Sequence, residues 1–345
     1  MTPAPSKKFK NPRANYGFKG RTCSISGVGS YVPERIVTNA DLERMVDTSN
    51  EWIVSRTGIK ERRVAAADEF TSDLAAHAAT RAMKQAGVKP EEIDLIIVAT
   101  ITPDMPFPST ACLVQQKIGA YRAAAFDIEA ACSGFIYGLE IGQQFIMSRT
   151  YNTVLVIGAE KLSSIVDWTD RNTCVLFGDG AGAAILQNRP NAHGLLTACM
   201  GADGQKADLL SMPGGGSRCP ASAASVSAGM HYLRMDGKET FKNAVQAMNT
   251  AAQESLRRCE LDISQIKCII PHQANRRIID AVSDRLGAKP EQVFVNLDKY
   301  GNTSAASVAI ALDEVVESKR IQRGDLILLV VFGAGLTWGA AVIEW

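Results

Sequence analysis

The stretch Ile93-Asp-Leu-Ile-Ile-Val-Ala-Thr100 is a short, mostly apolar run rich in β-branched residues. Runs of this length are typical of strands that are buried on both faces of a sheet. Six similar runs predict strands over Ala124–Ile128, Val154–Gly158, Ala183–Leu186, Ile266–Ile270, Val293–Asn296 and Leu326–Phe332. Helical patterns separate these runs, including Ser72–Ala86, with Ser72 as the expected N-cap and Gly87 as C′, and Phe241–Cys259. The alternation predicts an α/β protein.

The chain repeats itself at intervals of 157 to 173 residues. Ile93-Asp-Leu-Ile-Ile-Val resembles Ile266-Lys-Cys-Ile-Ile-Pro, and Gly182-Ala-Ala-Ile-Leu resembles Gly339-Ala-Ala-Val-Ile. Two further pairs match in the same order. This pattern predicts two homologous halves, residues 21–190 and 191–345, with chemistry expected at their junction.

Composition and charge exclude several classes of protein. The 345 residues are 46% hydrophobic and 21% charged, which is typical of a globular protein. With 37 basic and 36 acidic side chains, the net charge of +1 argues against nucleic acid as a partner. No apolar run is long enough to span a membrane, so we do not expect a membrane as a partner. Residues 1–20 carry basic but no acidic side chains and are expected to form a flexible basic tail rather than a secretory signal.

The eight cysteines form no CxxC pair, which predicts free thiols in a reducing cytoplasm. Cys259, Cys268 and His272 lie close in sequence, but their spacing matches no common zinc site. We therefore expect no metal.

Cys132, in Glu129-Ala-Ala-Cys-Ser-Gly-Phe, is the candidate nucleophile. It follows a predicted strand and opens a predicted helix, whose N-terminal N–H groups and partial positive charge would favour a thiolate. The alternative is a buried cysteine that acts as a small hydrophobic residue.

His272 and Asn302 are the candidate partners of Cys132. His272 follows the predicted strand Ile266–Ile270, and the duplication gives Asn302 the same strand-to-helix placement as Cys132. Cys, His and Asn also occur in papain-like proteases, where His is the base. Two hydrogen bonds directed at one oxygen would instead stabilise an enolate. Spacing alone leaves both roles open.

Two glycine-rich segments have different expected roles. Phe177-Gly-Asp-Gly-Ala-Gly-Ala-Ala departs from the GxGxxG pattern by one position and is expected to mark close packing of the two halves. Phe332-Gly-Ala-Gly-Leu-Thr-Trp-Gly ends a predicted strand, and its backbone N–H groups are candidate oxyanion donors.

These motifs together resemble the β-ketoacyl-acyl-carrier-protein synthase III family, the condensing enzymes of the thiolase superfamily that initiate fatty-acid synthesis. The resemblance covers roughly residues 21–345. It rests on Gly29-Ser-Tyr-Val-Pro, Asn39-Ala-Asp-Leu-Glu, Asp47-Thr-Ser-Asn-Glu-Trp-Ile-Val-Ser-Arg-Thr-Gly-Ile, Ala130-Ala-Cys-Ser-Gly-Phe, Phe177-Gly-Asp-Gly-Ala-Gly-Ala, Pro271-His-Gln-Ala-Asn, Gly301-Asn-Thr-Ser-Ala-Ala-Ser and Phe332-Gly-Ala-Gly-Leu-Thr-Trp-Gly.

The resemblance implies a five-layered αβαβα thiolase fold, a homodimer and no cofactor beyond the CoA thioester substrates. Cys132 would take the acyl group of an acyl-CoA primer, with acetyl-CoA as the expected primer. Malonyl-acyl-carrier protein would then lose CO2, and its enolate would attack the acyl-enzyme to give 3-oxoacyl-acyl-carrier protein. By analogy, the N–H groups of Cys132 and Ala334 would bind the first oxyanion, and His272 Nε2 and the Asn302 amide the enolate. Phe332 would shape the site.

The resemblance also assigns binding residues. The positions that match CoA contacts are Thr48, Trp52, Arg56, Arg171 and Gly237, with the adenine stacked between Trp52 and Arg171. The positions that match carrier-protein contacts are Lys242, Gln273, Ala274, Asn275, Arg276, Arg277 and Arg285. Phe107 matches a residue that reaches across the dimer and limits primer size.

The sequence departs from the family pattern at three places. The final glycine loop is Gly333-Ala-Gly335, Asp284 replaces a docking lysine of some members, and Lys238 replaces an asparagine near the pantetheine. Three rival functions remain open at this point: a condensing enzyme with a different primer in secondary metabolism, a non-catalytic partner subunit and a cysteine hydrolase. An intact Cys132 argues against the partner subunit, and the CoA-site residues argue against the hydrolase.

Overall fold

The computed structural model describes residues 22–189 and 194–345. The predicted tail, 1–20, and the predicted boundary at residue 190 lie outside these residues. The strands are β1 (Cys23–Tyr31), β2 (Ile36–Thr38), β3 (Glu61–Arg63), β4 (Leu95–Ala99), β5 (Ala124–Ile128), β6 (Thr153–Glu160), β7 (Gly180–Asn188), β8 (Leu195–Ala202), β9 (Leu210–Ser211), β10 (Arg234–Met235), β11 (Cys268–Pro271), β12 (Leu326–Gly333) and β13 (Thr337–Glu344). The helices are α1 (Asn39–Glu43), α2 (Asn50–Thr57), α3 (Thr71–Ala86), α4 (Thr110–Ile118), α5 (Gly134–Met147), α6 (Ala223–Ser227), α7 (Gly237–Arg258), α8 (Arg276–Leu286), α9 (Leu297–Tyr300) and α10 (Ser307–Glu317).

Two mixed sheets have the same topology. The first has the strand order β5-β4-β6-β7-β1, and the second has the order β11-β12-β13-β8. In each, one parallel pair (β4 with β6, β11 with β12) is followed by two antiparallel pairs. Val293 forms a parallel bridge to Ile269 at the place that β5 occupies in the first sheet. The predicted duplication is therefore present in the strand order.

Helices and sheets alternate in five layers. Helices α3 and α4 cover the outer face of the first sheet, and α7 covers the outer face of the second and packs on α8. Helices α5 and α10 lie between the two sheets, and each contacts strands of both. Their apolar side chains, such as Phe135, Leu139 and Leu312, are buried in the central core. The molecule thus has the expected αβαβα architecture.

The glycine-rich segment packs the two halves together, as predicted. A Cβ at Gly178 would lie 2.3 Å from the carbonyl oxygen of Tyr300, and one at Gly182 would lie 2.5 Å from the Cβ of Ala309. Because these distances are shorter than any van der Waals contact, only glycine permits this approach.

Three predicted elements were wrong in detail. No strand covers Val293–Asn296, because the side-chain oxygen of Gln273 accepts hydrogen bonds from the N–H groups of Asn296 and Leu297 in place of a strand partner. The N-cap of α3 is Phe70, not Ser72, whose N–H donates to Asp104 Oδ1 (2.8 Å). Helix α7 begins at Gly237, one turn earlier than predicted, because the Asp236 carboxylate caps its first N–H groups.

Within residues 22–189 and 194–345, no helix combines the length and the apolar character needed to cross a membrane. The same residues contain no group of three or more His, Cys, Asp or Glu side chains that could hold a metal ion. All eight cysteines are free.

Candidate active site

Two matching turns, one from each half, meet at the centre of the molecule. In the first half, a 3-10 turn over Ala131–Ser133 leads from β5 into α5. In the second half, a 3-10 turn over Ser304–Ala306 leads into α10, and the two turns are in contact. Ala131 (φ 46°) and Ser304 (φ 48°) both have a positive φ, which is uncommon for residues other than glycine.

These turns correct the predicted equivalence of Cys132 and Asn302. Because Ala131 matches Ser304 in conformation and position, Cys132 corresponds to Ala305. Asn302 lies two residues before its turn, after the short helix α9. The strand-to-helix placement is confirmed for Cys132 and was wrong for Asn302.

Cys132 is buried, with 7% of its surface exposed. Burial raises the pKa of its thiol to about 12, a hydrogen bond with Ser304 opposes the rise, and the charge of Glu160 adds to it. Burial of a negative charge therefore opposes the thiolate that the helix N-terminus would favour. The resting thiol is protonated.

His272 follows β11 and is held from both sides. Its backbone N–H donates to the carbonyl oxygen of Val330 (2.7 Å), and its ring Nδ1 lies 3.1 Å from Ser307 Oγ. The Ser307 oxygen also accepts a hydrogen bond from the N–H of Gln273 (2.8 Å). Burial lowers the pKa of His272 to about 4, so its imidazole is neutral at neutral pH.

The side-chain amide of Asn302 has a defined orientation. Its Oδ1 accepts a hydrogen bond from the N–H of Ser304 (2.9 Å). Its backbone N–H donates to the carbonyl oxygen of Leu176 (2.8 Å), and its own carbonyl accepts from Gly178 (3.1 Å). Since the oxygen is occupied, the amide nitrogen keeps its two N–H donors for a ligand.

Cys132, His272 and Asn302 share one open cavity of about 950 Å³. The other predicted site residues that line this cavity are Trp52, Arg56, Gly237, Ala274, Asn275, Arg277 and Phe332. Lys238 lines it as well. The fold therefore brings together residues that are up to 280 positions apart in the sequence, from Trp52 to Phe332.

The loop after β12 lies against the nucleophile. A Cβ at Gly333 would lie 2.7 Å from the backbone nitrogen of Cys132, so the chain passes it closely. The Thr337 hydroxyl lies 2.9 Å from the carbonyl oxygens of both Ala130 and Ala334. This hydroxyl ties the loop to the residues just before the nucleophile.

A second cavity, which sequence reasoning missed, meets the first at Cys132. Its volume is about 380 Å³, and Ser304 and Ala334 line it near the thiol. Its apolar lining includes Ile101, Leu162, Ile165, Leu210, Met212 and Leu233. It is suited to an apolar group attached to Cys132.

Two guanidinium groups lie over the Trp52 indole at the outer end of the first cavity. The Cζ atoms of Arg56 and Arg171 are 5.0 and 5.1 Å from the ring centroid. Arg171 also donates to the carbonyl oxygen of Asp47 (2.7 Å). In this conformation the arginines occupy the ring faces, so an adenine between Trp52 and Arg171 requires Arg171 to move. Thr48 Oγ1 is buried and has no hydrogen-bond partner among the described residues, as expected beside a ligand site.

The predicted carrier-protein residues separate into two groups. Lys242, Arg276, Arg277 and Arg285 are exposed, and Arg277 lies over the Phe241 ring. Arg276 pairs with Asp280. Asn275 is half-buried, caps α8 and donates to the carbonyl oxygen of Arg56 (3.1 Å).

Gln273, which was predicted to contact the carrier protein, does not belong to either group. Only 2% of its surface is exposed, and both ends of its amide are bonded within the chain. Its Nε2 donates to the carbonyl oxygen of Pro271 (2.7 Å). A side chain that is buried and saturated in this way cannot contact a docking protein, and its role is structural.

Phe107 lines neither cavity, and 84% of its surface is exposed. Met105, in the same loop, is 43% exposed. One chain alone therefore does not place Phe107 in the site.

Glu160, the last residue of β6, is a buried carboxylate that sequence reasoning missed. Burial raises its pKa to about 7, although hydrogen bonds from Thr102, Ile101, Ser304 and Thr100 oppose the rise. The sequence did contain a signal for this residue, because an acidic side chain ends an otherwise apolar strand.

Comparison with known proteins identifies the family of the chain. The model of the 3-Oxoacyl-[acyl-carrier-protein (ACP)] synthase III family matches residues 126–204, and the model of its C-terminal part matches residues 256–345. The chain is 59% identical to a beta-ketoacyl-[acyl-carrier-protein] synthase III of Caldanaerobacter subterraneus subsp. tengcongensis, over 93% of this chain and 97% of that protein.

Solved structures of the same family are also similar to this chain. The 3-oxoacyl-[acyl-carrier-protein] synthase III of Aquifex aeolicus has a TM-score of 0.87 and 48% identity, over 94% of this chain and 100% of that chain. The priming β-ketosynthase of the R1128 polyketide pathway has a TM-score of 0.87 but 37% identity, over 94% of this chain and 96% of that chain. Sequence identity is thus higher to the Aquifex aeolicus enzyme than to the polyketide enzyme.

The fold and these relatives define a condensing enzyme of the thiolase type. The chain belongs to the 3-oxoacyl-[acyl-carrier-protein] synthase III family. It is an acyltransferase with a condensing role in the initiation of fatty-acid synthesis, and the rival function in secondary metabolism is not favoured.

Proposed function

We propose that Cys132 accepts the acyl group of a short acyl-CoA and that the acyl-enzyme condenses with malonyl-acyl-carrier protein. The observation that carries this proposal is the single cavity that extends from Trp52 and Arg56 to Cys132, His272 and Asn302. An extended thioester could bind its nucleotide at the basic end and present its carbonyl to the thiol. The reaction needs no cofactor, because loss of CO2 drives the condensation.

His272 and Asn302 stabilise the enolate in this proposal and do not act as a papain-like pair. A neutral imidazole with a pKa of about 4 is a weak base. Its Nδ1 faces the Ser307 hydroxyl, so Nε2 can carry the proton and donate it to an oxyanion. The Asn302 amide nitrogen supplies a second donor in the same cavity. Two such donors stabilise the developing negative charge on the thioester oxygen of the malonyl group.

The tetrahedral intermediate of acyl transfer requires a separate pair of donors. We assign these to the backbone N–H groups of Cys132 and Ala334. The close approach of Gly333 to the nitrogen of Cys132 supports this assignment. Phe332, buried beside both, limits the space around the reacting atoms.

The substrates are expected to use the basic end of the cavity. CoA would contact Thr48, Trp52, Arg56 and Gly237, with Arg171 moving to admit the adenine. The acidic carrier protein would dock on the exposed basic residues around the mouth, Lys242, Arg276, Arg277 and Arg285.

The second cavity is assigned to the alkyl part of the primer. Acetyl-CoA remains the expected primer, and a volume of about 380 Å³ leaves space for larger groups, so primers of different size need to be compared.

A homodimer is proposed from the exposed apolar surface of the first half. Phe107 and Met105 are exposed, and β5 is an edge strand of mostly apolar residues. Edge strands and exposed aromatic residues are typical of surfaces that a second copy covers. The proposed location is the cytoplasm, where the free thiols would remain reduced.

Intact-protein mass spectrometry tests the proposal. The protein is incubated with acetyl-, isobutyryl- or octanoyl-CoA, the added acyl mass is measured, and the modified peptide is mapped. We expect one acetyl group on Cys132, discharged by malonyl-acyl-carrier protein. Cys132→Ala should remove the label, whereas Cys112→Ala, at an exposed cysteine, should keep it. Labelling by none of the donors, or labelling that survives in Cys132→Ala, would contradict the proposal.

A further inference from the structure

The buried carboxylate of Glu160 is connected to the nucleophile through one hydroxyl group. The Ser304 hydroxyl donates to Glu160 Oε1 (3.0 Å), and Ser304 and Cys132 line the second cavity from two turns that contact each other. Glu160 and Ser304 have 0% and 1% of their surface exposed. The path from the sulfur to the carboxylate therefore lies inside the protein.

The other contacts of Glu160 fix its position and leave this path open. Its Oε2 accepts from the Thr102 hydroxyl (2.6 Å), the N–H of Ile101 (3.1 Å) and the Thr100 hydroxyl (3.2 Å). The ammonium group of the next residue, Lys161, points away and donates to the backbone carbonyls of Ala66 and Glu69. The carboxylate is thus held by neutral donors, and its negative charge raises the pKa of the Cys132 thiol.

We propose that Glu160 accepts the proton of Cys132 through the Ser304 hydroxyl during acyl transfer, and that Ser304 and Glu160 are positioning residues of the first half-reaction. The thiol proton moves to Ser304 Oγ while the Ser304 proton moves to Glu160 Oε1. The thiolate then forms a bond to the thioester carbon, and the C–S bond to CoA breaks. The proton returns from Glu160 through Ser304 to the departing CoA sulfur, so free CoA leaves as a thiol.

The charge in the site favours this route over loss of the proton to solvent. A thiolate formed beside an ionised Glu160 would place two negative charges in a buried region, which is costly. Transfer within the site moves one negative charge from the carboxylate to the sulfur and leaves the total unchanged. His272 is a poorer acceptor, because burial lowers its pKa to about 4, whereas that of Glu160 is raised to about 7.

The test separates the two half-reactions. Acylation by acetyl-CoA is followed by rapid quenching and intact mass, and condensation is followed on enzyme that is already acetylated. For Glu160→Gln, which keeps the shape but not the basic carboxylate, we expect acylation at neutral pH to fall about 100-fold. Condensation on preloaded enzyme should stay within about threefold, because it uses His272 and Asn302.

A pH profile distinguishes a proton acceptor from a structural residue. The acylation rate of the wild type should level off above the pKa of Glu160, about 7. In Glu160→Gln it should continue to rise about tenfold per pH unit toward the pKa of the thiol, because hydroxide must then supply the base. Ser304→Ala should give the same profile. Alanine already occupies the same positive-φ conformation at Ala131, so this variant is expected to fold.

Asp313→Asn is the matched control, since it replaces another buried carboxylate with an amide, and its hydrogen-bond partner Ser30 does not lie on the path to Cys132. It should keep the plateau and an acylation rate within about threefold of the wild type. Unchanged or faster acylation in Glu160→Gln would overturn the inference, and so would an equal loss in both half-reactions. The inference rests on Cys132 being the acylated residue, and the peptide map of the wild type tests that point separately.

Discussion

At the scale of single residues, burial sets the charge of the groups around the nucleophile. The Cys132 thiol is protonated, the His272 imidazole is neutral, and the carboxylic acid of Glu160 is half-ionised near its pKa of about 7. A neutral imidazole can donate a hydrogen bond from Nε2, but it is a weak base. The same side chain that serves as base in a cysteine protease is therefore suited here to binding an oxyanion.

This difference predicts the effect of His272→Ala. We expect condensation to fall by at least about 100-fold, because one of the two enolate donors is lost. Acylation by acetyl-CoA should stay within about threefold of the wild type. The measurement is the rate of each half-reaction, with acetylated enzyme prepared in advance for the second.

Ser307→Ala is the companion variant. It keeps the imidazole and removes its Nδ1 partner, so we expect a smaller loss of condensation, of about tenfold. If His272→Ala instead lost acylation and kept condensation on preloaded enzyme, the assignment of His272 to the enolate would be wrong.

At the scale of elements, the site depends on how closely the turn before α10 approaches the first sheet. A Cβ at Gly158, in β6, would lie 2.2 Å from the carbonyl oxygen of Ala305. That carbonyl belongs to the turn that also carries Ser304. The small residues at this contact allow the central turns of the two halves to meet.

We therefore expect Gly158→Ala to destabilise the protein by about 1–3 kcal/mol, because the added methyl group meets backbone that cannot rotate away. The measurement is the urea concentration at the midpoint of unfolding. Gly204→Ala is the matched control, since a Cβ there would meet nothing within 4 Å. Equal midpoints for the two variants would show that the turn can shift without cost.

At the scale of the whole molecule, the outer edge of the first sheet has an apolar surface that is exposed in the single chain. Strand β5 leads directly to the turn that holds Cys132, and Phe107 is 84% exposed. A second copy that covers this surface would also stabilise the segment that positions the nucleophile.

We expect sedimentation of the wild type to give the mass of a dimer, and Phe107→Asp to shift the protein toward the monomer. A charge placed in an apolar interface is costly to bury, which is the reason for the shift. Val226→Asp, at a residue that is 62% exposed in α6, is the control and should leave the dimer intact. A monomeric wild type would contradict the proposed homodimer.

The sequence by itself determined the architecture and the three central residues. The apolar runs and their repetition predicted α/β structure in two halves, because strand burial leaves a local pattern that needs no knowledge of contacts. Cys132, His272 and Asn302 could be selected from their motifs. Chemistry of this kind needs particular residue types beside the ends of strands.

Only the tertiary structure decided which atoms are available and what charge they carry. Gln273 lies within a predicted binding motif, yet its amide is fully bonded inside the protein. Asn302 is not the equivalent of Cys132, because the matching turn begins at Ser304. Glu160 and Ser304 are 144 residues apart in the sequence, and only folding brings them together. Burial and hydrogen bonding depend on neighbours that are distant along the chain, so pKa values and donor orientations cannot be read from a local pattern.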